Sequence, residues 1–504
     1  MKKQLQRILA CLTLCAVLAG SLAAPASAAG FQDVPSGHWA AGDIRRCVEL
    51  GFFNGETATR FGLGHEMTRS AFTVVLCRFF GWETPKPSQA TYRDVPVTAW
   101  YAGAVQAAYA HGALTDQRED FRPTDPITRE ELTVMLVRAL GYGTIAGLAQ
   151  DLPAPFQDVT TNTGYITMAL DLGLISGTTA TTFSPEKTAP REQVAVILMR
   201  LYDKLHSAAP GRVGIVSSAE ELTDLTGLDV VAVSAGKLMS AGKIKVASTM
   251  EESDAASIQA AAREAGAKTL LYIVGGPTAL NGSASSTASV VAEAVAGGGY
   301  DGAFLDIPQL KSNSQRAALT KLLKALRPAL GDRLLYLMVE APAWQGTAYK
   351  GYHYAALDPY VDRMVLRIAP RERTGGGFPT APVDPLEEIY YALSSLRGEV
   401  DSGKLSLLVS TAGSAWLGGK RSDALSGADI AALLAAEETV SYYSDRYACA
   451  YLSAPGEDDK TLVVWYLDRR AAAERAQLLR CFGVDQICLS DPGSALPELL
   501  AGLG

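Results

Sequence analysis

The chain has 504 residues, 48% of them hydrophobic and 19% charged, with a formal net charge of −8. This is a globular composition, too long for one ordinary domain, so two or three units are expected. The acidic balance lacks the basic footprint of a nucleic-acid binder and argues against nucleic acid as a partner.

Residues 1–28 read as a secretory signal peptide. Lys2, Lys3 and Arg7 precede an apolar run from Ile8 to Ala24, and Ala26-Ser27-Ala28 is a small-x-small cleavage site. Cleavage after Ala28 would leave a net charge of −11. No cysteine sits at the cut, which argues against a lipid anchor. No later segment offers the run of about 20 apolar residues that a membrane span needs. No LPxTG-like sorting signal closes the chain. An exported chain of this kind is expected to be free or held non-covalently. Cys47, Cys77, Cys449, Cys481 and Cys488 remain after cleavage. Their number is odd, none has CxxC spacing, and no histidine lies near them in sequence. They read as buried small hydrophobes, with no metal site and no cofactor expected.

Three segments then repeat one pattern. The first holds FQDVPSGHWA, GFFNG and MTRSAFTVVLCRFFG. The second holds YRDVPVTAWYAGAV, HGALTD and FRPTDPITREELTVMLVRALG. The third holds FQDVTTNTGYITMALDLGLISG and FSPEKTAPREQVAVILMRLY. Asp33, Asp94 and Asp158 are spaced by 61 and 64 residues, and Arg69, Arg129 and Arg191 by 60 and 62. Each unit opens on an aromatic and an Asp and continues into a helix ended by Gly51, Gly112 or Gly173. A Thr-Arg-x-Glu start leads into a second helix, with Thr128 as N-cap and Glu131 as its capping-box partner. That helix is apolar at Leu132, Met135, Leu136 and Leu140. One helical pair cannot bury its own apolar face, so the three are expected to pack together.

These segments, residues 31–83, 92–143 and 156–205, resemble surface-layer homology repeats. The resemblance implies an all-α, three-lobed bundle whose grooves bind secondary cell-wall polysaccharide, often bearing pyruvate ketals. A ketal of this kind is a carboxylate, which arginine grips with two parallel hydrogen bonds. By resemblance Arg69, Arg129 and Arg191 contact the anionic sugar. Asp33, Asp94 and Asp158 set the grooves, and Trp39 and Trp100 pack at the lobes. These eight form the expected carbohydrate-binding set. The pattern departs at Ala71, where the first repeat loses its acid, at Pro190 and Gln193, and at Tyr165, which stands near the place of the tryptophan.

After a short linker at 206–211 the pattern becomes strands alternating with helices over 212–504. Candidate strands are Arg212–Val216, Asp229–Val233, Thr269–Val274, Gly302–Leu305, Leu334–Val339, Arg363–Ile368, Leu405–Val409, Ala448–Leu452, Thr461–Trp465 and Gln486–Leu489. The alternation predicts an α/β domain of the (β/α)₈ TIM-barrel kind, with a doubly wound open sheet as the alternative. Lys268–Gly276, Tyr300–Asp306, Tyr354–Asp362, Thr461–Asp468 and the segment around Gly483 are similar to glycoside hydrolase family 18, the chitinase-like barrels. That family needs a Glu at the end of the fourth strand as general acid and an Asp two positions earlier to orient the substrate's N-acetyl group. Here the Asp falls on Asp306 and the Glu on Pro308, which has no ionisable group. The first Asp of the triplet falls on Phe304. The sixth strand reads Leu366-Arg367-Ile368-Ala369-Pro370 instead of Met-x-Tyr-Asp, and the last reads Ile487-Cys488-Leu489-Ser490 without the family's Trp. Glu340 is the one alternative acid, with a salt bridge to Arg367 or Arg371 as its competing role. Asp301 is expected to cap the strand, and Asp306 to bind a sugar hydroxyl or amide. No GxSxG elbow, Walker loop or HExxH motif is present. Gly297–Gly299 and Gly375–Gly377 are simple loops.

Three readings follow. The first is a wall-anchored pseudo-enzyme whose barrel binds peptidoglycan or a chitin-like glycan, or acts as a spacer. The second is an active wall-remodelling glycosidase with a relocated acid. The third is a structural surface-layer component.

Overall fold

The computed structural model describes residues 31–115, 120–219, 225–239, 245–343, 350–368 and 380–504. The expected leader 1–28, the glycines 375–377 and Arg371 lie outside the described residues. The chain divides into two compact units. The first takes in residues up to Gly143, Pro155–Ile166 and Leu174–Arg200; the second takes in Thr144–Ala154, Thr167–Gly173 and Leu201–Gly504.

The N-terminal part is helical: α1 (Ala41–Glu49), α2 (Arg69–Phe80), α3 (Ala102–Ala110), α4 (Arg129–Ala139), α5 (Gly143–Leu148), α6 (Thr163–Asp171) and α7 (Arg191–Leu205). The expected starts and stops are in place. Thr128 and Glu131 form a reciprocal capping box, each bond 3.1 Å long. Gly51, Gly112 and Gly173 adopt φ of 77°, 74° and 67°, a left-handed turn that frees the chain to leave each short helix. Leu132, Met135, Leu136 and Leu140 are buried.

The repeats close on one another through backbone. The Met67 N–H donates to the Ala189 carbonyl at 3.1 Å, Ala189 to Ile127 at 3.0 Å, and Ile127 to Met67 at 2.8 Å. This ring of three bonds gives the bundle an approximate threefold axis. Around it the opening aromatics Phe31, Tyr92 and Phe156 lie 5.7, 5.6 and 5.7 Å from Phe61, Phe121 and Phe183. The latter three are fully buried, and each such ring contributes about 1.5–3 kcal/mol of burial free energy.

The C-terminal domain holds fourteen strands among its described residues. Eight of them are parallel: β1 (Gly211–Val216), β2 (Val230–Met239), β4 (Lys268–Gly275), β5 (Gly302–Asp306), β6 (Leu334–Glu340), β7 (Arg363–Arg367), β8 (Leu405–Val409) and β14 (Gln486–Leu489). β1 pairs with β14 on one side and β2 on the other, so the sheet closes into a barrel and the open-sheet alternative is excluded. A short β3 (Lys245–Ser248) pairs antiparallel with β2. Helices α8 (Glu252–Glu264), α9 (Ala284–Gly297), α10 (Asn313–Leu330), α11 (Tyr354–Leu357), α12 (Leu386–Leu396), α13 (Gly427–Leu434), α14 (Arg469–Phe482) and α15 (Pro497–Gly502) accompany the strands. Phe304, Tyr336, Met338, Val365 and Cys488 fill the barrel interior.

Two of the ten expected strands are not barrel strands. Ala448–Leu452 and Thr461–Trp465 lie in β12 (Cys449–Pro455) and β13 (Thr461–Tyr466) of a separate antiparallel sheet. That sheet runs in the order β10-β9-β13-β12-β11, with β9 (Ser414–Leu417), β10 (Lys420–Arg421) and β11 (Val440–Ser444), and is inserted between β8 and β14. A five-residue apolar run does not reveal the direction of its partner. The alternation of buried and half-buried residues along β12 does, because barrel strands are covered on both faces.

Candidate functional site

In each repeat one phenylalanine is held from two sides. Its N–H donates to the Asp of its own repeat: Phe61 to Asp33, Phe121 to Asp94 and Phe183 to Asp158, all at 2.8 Å. Its carbonyl accepts from the arginine of the preceding repeat: Phe61 from Arg191 Nε (2.9 Å), Phe121 from Arg69 (2.7 Å) and Phe183 from Arg129 (3.0 Å). The guanidinium also lies over that phenylalanine's ring, at 4.9, 5.1 and 4.5 Å respectively. The aspartates are therefore saturated by backbone, each accepting further N–H bonds from Gly62 and Leu63, Arg122, or Ser184. They shape the loop that presents the phenylalanine.

The arginines are only half-buried, and their free N–H groups differ. Arg129 donates Nη2 to the Ser176 carbonyl (2.8 Å) and Arg191 to that of Asn54 (2.8 Å). Burial pulls both guanidinium pKa values below the ordinary range. Arg69 instead places Nη1 2.8 Å from Glu131. Arg129 and Trp39 line one cavity of about 260 Å³. Trp39 and Trp100, expected to pack at the lobes, are 62% and 70% exposed. An exposed indole can cover the apolar face of a sugar ring while a guanidinium takes its acidic substituent.

Several of these carboxylates are held in the charged form. For Asp33, burial raises the pKa, but backbone N–H groups of Phe61, Leu63 and Gly62 outweigh it and the value falls below the ordinary range. For Asp158, the Phe183 and Ser184 N–H groups lower it. For Glu131, burial is outweighed by the charge of Arg69, the Thr128 N–H and Arg122. A carboxylate with a depressed folded pKa contributes stability above its unfolded value, near 4, and loses that contribution as pH falls through the folded value. The repeat unit should therefore melt at progressively lower temperature as pH drops below about 4. A midpoint flat between pH 5 and pH 3 would contradict this assignment of charges.

At the barrel's C-terminal mouth, Asp306, Glu340 and Arg367 end three adjacent strands, β5, β6 and β7. Asp306 Oδ2 accepts from the Tyr272 hydroxyl at 2.5 Å and from Arg367 Nη2. Arg367 Nη1 donates to Glu340 Oε1 at 3.2 Å. One guanidinium thus bridges two carboxylates whose side chains are 5% and 13% exposed. Burial opposes the charge of Arg367, but its bond and attraction to Asp306, and the charge of Glu340, outweigh it and keep it protonated. Tyr272 is buried beside Asp306, which pushes its pKa up and keeps it a donor. Asp306 Oδ1 is buried and has no hydrogen-bond partner among the described residues. Pro308 stands two residues beyond Asp306, in the expected place of the general acid, and Phe304 lies in the barrel core.

Of the expected roles, Glu340 has its salt bridge to Arg367. Asp301 accepts from the Thr269 N–H at 2.7 Å, holding neighbouring strand starts together. The five cysteines are free and buried, and burial pushes Cys47, Cys77, Cys449 and Cys481 up to about 12, so they are unreactive thiols. Sequence reasoning missed the Arg367–Asp306 contact, the Tyr272 donor and the role of Glu131 toward Arg69. The register of β5, β6 and β7 carries the first of these, and strand register is not readable from composition. Among the described residues no helix is long and apolar enough to cross a membrane, and no acidic, His or Cys group gathers to hold a metal ion.

Residues 91–133 and 155–195 match the family model of the S-layer homology domain. The first repeat lies outside that match but carries the same Asp–Phe–Arg geometry. The chain is 27% identical over 194 residues to an S-layer protein of Bacillus thuringiensis subsp. finitimus, covering 37% of this chain and 23% of that protein. It spans 10–23% of the length of four curated relatives that it matches. In fold, the chain is similar to a chitinase from Chromobacterium violaceum (TM-score 0.50, 15% identity, 58% of this chain and 98% of that one). It is likewise similar to the spore cortex-lytic enzyme SleL of Bacillus cereus (TM-score 0.50, 15% identity, 59% and 74%). The C-terminal domain is thus a closed parallel barrel of the chitinase type, joined to S-layer homology repeats.

Proposed function

We propose that the repeats hold this chain non-covalently on an acidic, pyruvylated cell-wall polysaccharide, and that the barrel they display does not hydrolyse glycans. The chain belongs at the cell surface, in the wall, where its S-layer homology repeats anchor it. The domain limits that fit this reading are a leader at 1–28, repeats at 31–83, 92–143 and 156–205, and a barrel from 212.

The observation that carries the barrel reading is the Arg367 clamp on Asp306 and Glu340, with proline at position 308. Hydrolysis needs a protonated carboxyl to deliver a proton to the leaving oxygen, worth roughly 10²–10⁴-fold in rate. At position 308 no such group exists. Glu340 already spends Oε1 on the Arg367 guanidinium. Asp306, which would orient an N-acetyl group, already spends Oδ2 on Tyr272 and Arg367. Restoring glutamate at 308 alone would therefore leave the partner carboxylate occupied. Oδ1 of Asp306 remains a buried acceptor, suited to an amide N–H or a sugar hydroxyl, and favours a glycan binder over an inert spacer.

The test is incubation of the full chain with peptidoglycan and with chitin oligomers. Co-sedimentation or retention without soluble products is expected. Product release that disappears in Glu340→Gln would establish instead a glycosidase with a relocated acid.

A further inference from the structure

The threefold repetition invites the assumption of three equal sites, but of three matched positions facing the grooves two differ and one is constant. One is the residue six past the opening Asp: Trp39, Trp100 and Gly164. Another lies three past the cap: Ala71, Glu131 and Gln193. The last is an arginine nine past the first one, at Arg78, Arg138 and Arg200, which recurs in all three repeats.

In the groove of Arg69 the arginines already have partners within the fold. Arg69, its side chain 11% exposed, pairs with Glu131 at 2.8 Å, and Glu131 is also gripped by Arg122. Arg138 donates to the Tyr165 hydroxyl at 3.2 Å and lies over that ring at 5.1 Å. No tryptophan stands at this groove, because Gly164 occupies the position. Its cavity of about 290 Å³ contains Arg69, Glu131 and Arg138 together.

The other two grooves are built oppositely. Arg129, Arg200, Gln193 and Trp39 line one cavity, and among the described residues neither arginine touches a carboxylate. In the groove of Arg191 the acid position is Ala71, which has no charge to offer. The matched Arg78 and Trp100 line a cavity of about 410 Å³ with Lys86, and Arg191 lies outside that lining.

We propose that the Glu131 carboxylate occupies, in the Arg69 groove, the place that the ligand's carboxylate takes in the other two, so that the chain has two acidic-saccharide sites and one sealed groove. Arg200 and Arg78 act as the second cation of the open sites, and Trp39 and Trp100 as their ring-stacking walls. The inference rests on the anchoring function proposed above.

Calorimetric titration of the full chain with a synthetic monosaccharide carrying a 4,6-pyruvate ketal tests it. Two sites per chain are expected. Arg69→Ala should leave the count at two. Arg200→Ala, which removes no hydrogen bond described in the fold, should weaken one site by about tenfold or more, the worth of one charge-assisted hydrogen bond. Glu131→Gln should add weak, salt-sensitive binding at the freed Arg69. Three equal sites in the unaltered chain, a single site, or loss of a site in Arg69→Ala would overturn the inference while leaving anchoring intact. No binding either to this probe or to purified wall polysaccharide would overturn the anchoring function itself.

Discussion

Arg367→Met should destabilise the barrel by about 3–5 kcal/mol, the usual cost of stripping one partner from a buried ion pair. The guanidinium is the shared counter-charge of Asp306 and Glu340. Removing it leaves two carboxylates at the mouth with, among the described residues, only the Tyr272 hydroxyl to support one of them. Burial and mutual repulsion then both work against the pair. The triple variant Arg367→Met, Asp306→Asn, Glu340→Gln should recover most of the loss, since it removes the whole charged group rather than one member. Thermal unfolding of the full chain measures this. An Arg367→Met midpoint equal to that of the parent would mean the clamp contributes nothing, and the account of an occupied, non-hydrolytic mouth would lose its basis.

Much of this architecture was legible from residues alone. The Asp, Arg and Gly spacings recur because each repeat solves the same local problem: a loop carboxylate, a capped helix and a left-handed stop. Such features are local in sequence, so spacing reveals them. The eight barrel strands were legible for a similar reason, as buried apolar runs separated by helices. What stayed hidden depends on contacts between distant segments. The pairing of Arg69 with Glu131 spans 62 residues and that of Arg367 with Asp306 spans 61, and no local pattern marks either. The two strands of the inserted sheet looked like barrel strands because five apolar residues read alike in either setting. The exposure of Trp39 and Trp100 was likewise not legible, since a large apolar side chain is ordinarily expected to be buried.

The second large effect concerns the wall. Arg129→Ala removes a guanidinium that is stacked at 4.5 Å on Phe183, bonded to two carbonyls, and open to a cavity beside Trp39. Each charge-assisted bond to a sugar carboxylate contributes about 1.5–3 kcal/mol, so loss of two should weaken that site by 100-fold or more. Unchanged circular dichroism at the binding temperature would separate lost contact from lost structure. High salt should weaken attachment of the parent in the same direction, because the paired charges are partly exposed.

The most direct measurement is sedimentation of the full chain with purified wall fragments before and after mild acid strips the ketal-linked carboxylates from their polysaccharide. The chain should pellet with the untreated fragments and stay largely in the supernatant with the stripped ones, and the Arg129→Ala variant should pellet more weakly than the parent. Equal pelleting with stripped and untreated walls would contradict recognition of acidic sugar by the repeats.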